Sequence, residues 1–177
     1  SEINSIEPYW GELRTFALEF ADECAFYRDY EFSTDPDSAF YAQAKEVYDV
    51  SINLTPEQQE IARFWVDTPG QTGTPAGHWV LIQIALADQF EMSLNRAAEM
   101  FVKTNIALAD SFISVWSLKY QDVLLRPETF INLYIDPRWS PYIASPNFPE
   151  YPSGHSATSA AAAQVLQSMF GQVAFTS

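Results

Sequence analysis

Residues Leu94 to Leu125 contain neither glycine nor proline, and no other stretch constrains the fold of this chain as strongly. Ser93 stands before the run as an N-cap and Pro127 interrupts it, so the pattern predicts one long helix, the longest in the chain. Nowhere does strand-like alternation occur between hairpin turns. The fold class is therefore all-α, a helical bundle.

Shorter helices are predicted around it. Glu7-Pro8-Tyr9 opens a first one, with Trp10, Leu13, Phe16, Ala17 and Phe20 at helical spacing, ending before the Asp35-Pro36 break. Asp35 reads as the N-cap of a second, with Pro36 at its first position, running through Val50. Thr55-Pro56-Glu57-Gln58 starts a third with the spacing of a capping box, and it stops near Asp67. Thr68 to Gly77 is rich in Gly, Pro and Thr and reads as loop. A fourth helix is predicted from His78 to Phe90, and a last one from Ser156 to its fading at Gly171. Between them, Ile135 to Pro152 holds five prolines and excludes regular helix or central strand.

Composition limits what such a bundle can do. A length of 177 residues suits a single helical domain, and an apolar fraction of 47% is enough for a core. The net charge of −14 repels nucleic acid and anionic membrane, so a phosphate-like ligand needs a local cationic pocket. Cys24 stands alone, which excludes an intrachain disulfide and a cysteine-based metal site. The longest apolar run, Trp79 to Ala87, is too short for a membrane span, and no signal peptide is recognisable. The chain starts at Ser1 without methionine, so a removed upstream segment and export are expectations the sequence leaves open.

The chemistry concentrates in two places. Pro152-Ser153-Gly154-His155 runs straight into helix-forming residues, so Ser153, Gly154 and His155 sit at a helix start. There the free backbone N–H groups and the positive end of the macrodipole favour an anion. Lys119 and Arg126 lie seven residues apart, two turns along one face, with Trp116 a turn before Lys119. Alone, such a pair reads as a solvated face. Together, an arginine fork and a lysine point charge suit an oxyanion.

In order, Lys119-x6-Arg126-Pro127 and Pro152-Ser153-Gly154-His155 form the pattern K-x6-R-P then P-S-G-H. This resembles the first two signature motifs of the vanadium-dependent haloperoxidase and type 2 phosphatidic acid phosphatase superfamily. Trp116 and Phe148 match aromatic positions that flank the halide site in the haloperoxidase branch. The resemblance spans roughly Trp79 to Gly171 and implies a helical bundle of the vanadium haloperoxidase and acid phosphatase type. It implies vanadate as cofactor, with phosphate able to occupy the same place, and hydrogen peroxide and halide as reactants. By the same resemblance Lys119, Arg126, Ser153 and the Gly154 backbone N–H bind the oxyanion. His155 is the acid–base group, and Lys119 further polarises bound peroxide.

A third motif, S-R-x5-H, supplies another arginine and the apical histidine in that family. Nothing after His155 contains Arg or His, and His78 precedes the first motif. The expectation is therefore a piece of a larger catalytic chain. Residues 1–67 would be supporting helices and 78–177 would carry the first two motifs, with a following segment or a second chain completing the site. Three functions stay open at this point: a haloperoxidase, a soluble acid-phosphatase-like hydrolase, and a non-catalytic helical module that binds oxyanions. Homo-oligomerisation stays open as well.

Overall fold

The computed structural model describes residues 5–68 and 70–175. Among these are six α-helices, one short 3-10 turn at Trp10–Glu12, and no strand. The helices are α1 (Ala39–Ser51), α2 (Pro56–Trp65), α3 (Thr74–Gln89), α4 (Leu94–Asp122), α5 (Pro127–Tyr134) and α6 (Gly154–Phe170).

The long helix α4 is the frame. Ser93 caps it by accepting from the Arg96 N–H at 3.4 Å. It ends three residues earlier than the sequence predicts, because Val123 takes a left-handed conformation (φ 49°, ψ 42°) and its N–H closes on the Lys119 carbonyl at 2.9 Å. A β-branched residue does this only where its surroundings impose it. The next residue, Leu124, is buried among α1 and α5 residues and its carbonyl accepts from the Glu150 N–H at 3.0 Å. Pro127 then does more than interrupt: it occupies the first turn of α5, a helix the sequence reading did not expect.

Three helices share the main core. Trp79, Ile82 and Leu86 of α3 meet Met100 and Leu108 of α4 and Ala162 and Leu166 of α6. Gln83 is wholly buried among them and is satisfied locally, donating to the Trp79 carbonyl and accepting from Asn105. A second core joins α1 to α5 through Phe40, Ala44, Leu124 and Phe130. Among the described residues no helix is long and apolar enough to cross a membrane.

The structure corrects several expected boundaries. The first predicted helix is absent beyond Trp10–Glu12. The N–H groups of Phe16, Ala17 and Leu18, which a helix would direct along itself, donate instead to the Asp110 carboxylate at 2.7, 2.7 and 3.0 Å. Leu13, Phe16 and Phe20 are correspondingly exposed. Asp35 and Pro36 form a turn rather than a helix start, with Asp35 accepting from the Asp37 N–H; Ser38 caps α1. Helix α3 begins at Thr74 with Pro75 in its first turn, so His78 lies inside it. Helix α6 begins at Gly154, two residues before the predicted start, with Ser153 as its cap. The capping box of Thr55 and Gln58 forms as its spacing predicts.

Candidate active site

Lys119 lies near the end of α4 and is 2% exposed. Its Nζ donates to the carbonyls of Pro149 and Glu150, both at 2.9 Å. An ammonium has three protons, so one remains for a ligand. Burial, and then the charge of Arg126, lower its pKa to about 8, while Glu150 works against the shift.

Arg126 occupies the N-cap position of α5. Its Nη1 donates to the Glu150 carboxylate at 2.5 Å. Its Nε is buried and has no partner among the described residues. An orphaned guanidinium N–H of this kind costs stability unless something accepts from it.

The two cations meet on one aromatic ring. Lys119 Nζ lies 5.0 Å and Arg126 Cζ 4.7 Å from the centre of Phe148. Phe148 packs on Trp116 at 5.1 Å, and Lys119 Nζ lies 5.9 Å from the Trp116 ring. The start of α6 closes against the same wall, for a Cβ on Gly154 would stand 3.6 Å from Trp116 Cζ3. Ser153 Oγ accepts from the Ser156 N–H at 3.2 Å and keeps its own proton to donate. Lys119, Arg126, Trp116, Phe148 and Gly154 thus form one cluster at the N-terminus of a 17-residue helix.

His155 stands on the first turn of α6, 46% exposed at its side chain, with Nε2 3.7 Å from Asp67 Oδ2. The sequence reading missed this partner. Asp67 is 6% exposed and follows α2 in a left-handed conformation (φ 46°). It also accepts from His78 Nδ1, at 3.2 and 3.3 Å to its two oxygens. The His78 ring stacks on Trp65 at 4.5 Å and meets the Phe64 ring at 4.9 Å. One buried carboxylate therefore faces both histidines of the chain. No motif spacing relates positions 67, 78 and 155. Glu150, equally unmarked by the reading, was at least inside the stretch that carries the second motif.

Chemically, the cluster offers what an oxyanion needs: the unused proton of Lys119, the orphaned Arg126 Nε, the Ser153 hydroxyl and the first N–H groups of α6. The residues present fit vanadate or phosphate in this respect. Opposed to an anion is the Glu150 carboxylate, which occupies part of the Arg126 fork.

Residues 133–177 match the family model described as the VCPO second helical-bundle domain. The whole fold superposes on the crystal structure of the first bacterial vanadium-dependent iodoperoxidase with a TM-score of 0.90 and 41% identity. That match covers 94% of this chain and 42% of the iodoperoxidase chain, so this chain spans less than half of that relative. Among curated proteins none matches. With that identity over nearly all of its length, and with residues 133–177 matching that model, the chain is a helical domain of the vanadium chloroperoxidase type.

Proposed function

We propose that these residues form the cationic half of a haloperoxidase oxyanion site, in a protein that oxidises halide with hydrogen peroxide to hypohalous acid. The observation that carries this reading is the meeting of Lys119 and Arg126 on Phe148, beside the start of α6. The matched relative is an iodoperoxidase, which makes iodide the first halide to test.

Lys119, Arg126, Ser153 and the Gly154 N–H hold the oxygens of the anion. When bound, vanadate supplies a Lewis-acid centre for peroxide chemistry. Lys119 keeps its charge at neutral pH in a setting almost free of water, where a charge acts more strongly than in solvent. His155 has Nε2 toward the Asp67 carboxylate, which leaves Nδ1 to exchange a proton with the reactants. His78 holds that carboxylate from its other side. The arginine and histidine of a third motif do not occur between His155 and Ser177.

The test is iodide oxidation by the protein with vanadate and peroxide, run beside hydrolysis of a phosphate ester. Vanadate-dependent oxidation is expected, with a loss of about a hundredfold or more in Arg126→Ala. Ester hydrolysis without vanadate, and no halide oxidation, would make the protein an acid-phosphatase-like hydrolase instead. Equally weak vanadate binding by wild type and Arg126→Ala would leave only a non-catalytic helical module.

A further inference from the structure

Residues 6–18 cross α4 as a strap with no regular structure beyond the turn Trp10–Glu12. In its middle, Trp10 stacks on Phe112 at 5.3 Å with the planes 6° apart, and leans on Trp116 at 5.3 Å. At Gly11 the strap backbone presses on α4 so closely that a Cβ would stand 2.4 Å from the Ser117 backbone. Only glycine permits that approach. Beyond Trp10 the buried Asp110 carboxylate gathers three successive N–H groups, those of residues 16–18.

Ile6 touches both halves of the candidate site. Its N–H donates to the Asn147 carbonyl at 2.9 Å, one residue before Phe148. Its carbonyl accepts from the Trp116 indole at 3.4 Å and from the Tyr120 hydroxyl at 2.7 Å. Trp116 belongs to α4 and Phe148 to the proline-rich loop, and these two rings carry Lys119 and Arg126.

We propose that Trp10 is a positioning residue for the anion pocket. The strap, through Trp10 and the Ile6 backbone, sets the separation and tilt of Trp116 and Phe148, and through them the places of the two cations. Trp10 acts through Trp116 and does not touch the ion. The proposal rests on the oxyanion reading above.

The experiment compares Trp10→Ala, Trp10→Phe and Gly11→Ala in the full chain. Phe16→Ala is the control, on the same strap with a side chain 66% exposed. Two quantities are measured: hydrogen exchange of the Trp116 indole N–H by NMR, and the Kd for inorganic phosphate. In Trp10→Ala the indole should exchange about tenfold faster and phosphate should bind about tenfold more weakly. Gly11→Ala, which lifts the strap without removing a ring, should shift both in the same direction. Trp10→Phe, which keeps a ring on Phe112, and Phe16→Ala should stay within about twofold of wild type. Protection of the Leu108 amide reports that the main core is intact, and Gly11→Ala decides the matter if Trp10→Ala does not fold. Wild-type phosphate binding with an unchanged indole and unchanged Kd in Trp10→Ala or Gly11→Ala would overturn the proposal. Failure of wild type itself to bind phosphate would instead overturn the oxyanion reading on which it rests.

Discussion

Glu150 and Lys119 make opposite demands on an incoming anion. Glu150 holds the Arg126 fork at 2.5 Å, and an oxyanion must displace or share that contact. Removing the carboxylate charge while keeping the shape should therefore help binding. Glu150→Gln is expected to tighten phosphate binding by about fivefold in calorimetric titration, and a weaker Kd would show that the carboxylate supports the pocket rather than competes for it. Lys119 contributes through its charge, and its pKa of about 8 sets the limit. Phosphate affinity should fall as pH rises through 8, because the free pocket loses a proton that the bound anion would retain; a flat Kd from pH 7 to 9.5 would contradict this. Stability should change in the opposite sense. The unfolded chain keeps the lysine proton up to about pH 10.4, so between pH 8 and 10 it binds more protons than the native state. Unfolding free energy should consequently rise across that window, with a Lys119 contribution on the order of 2–3 kcal/mol. Urea titrations at pH 8 and pH 10 would measure it, and Lys119→Met should flatten the difference. The cation pair was legible from K-x6-R-P and the helix-start donors from P-S-G-H. Glu150 and Asp67 were not, because each acts through a contact whose partner is set by tertiary packing: 24 residues separate Glu150 from Arg126, and His155 lies on α6 whereas Asp67 lies in the loop after α2.

Two helix starts whose capping partners lie within one turn stand where the sequence places them, whereas a segment whose N–H groups go to a distant acceptor does not. Thr55 and Gln58 satisfy each other within one turn, so α2 starts where its spacing says. Ser93 does the same for α4. The strap shows the contrary case. Its apolar residues recur at helical spacing, yet its N–H groups are claimed by Asp110, more than 90 residues away. Helix propensity is a weak prior against such an acceptor. Burial pushes the Asp110 carboxyl up, but the three backbone donors outweigh it and hold its pKa below the ordinary value. Asp110→Ala leaves those N–H groups without a charged acceptor and is expected to cost about 2–4 kcal/mol, read as a lower urea midpoint. A loss under about 0.5 kcal/mol would mean that the strap is held by Trp10 and Gly11 alone.

At the scale of the whole molecule, the pattern of caps and helical spacing predicted the all-helical fold that the structural match bears out, and composition added only an acidic net charge. It could not place the cations, because a net charge of −14 says nothing about where nine basic residues gather. Their gathering has a consequence for binding. An anion approaching this protein meets long-range repulsion from the acidic surface and short-range attraction from Lys119 and Arg126. Salt screens the first more than the second, since the Debye length shrinks from about 30 Å at 0.01 M to about 10 Å at 0.1 M while the pocket contacts are only a few ångströms long. Lys119 is also almost fully buried, where screening is weaker still. Phosphate should therefore bind somewhat more tightly, by about twofold, when ionic strength rises from 0.01 to 0.1 M with a weakly coordinating anion. Simple surface pairing with lysines and arginines would weaken over the same range. A Kd series in perchlorate separates the two, and a steady loss of affinity would place the phosphate on the surface rather than between Lys119 and Arg126.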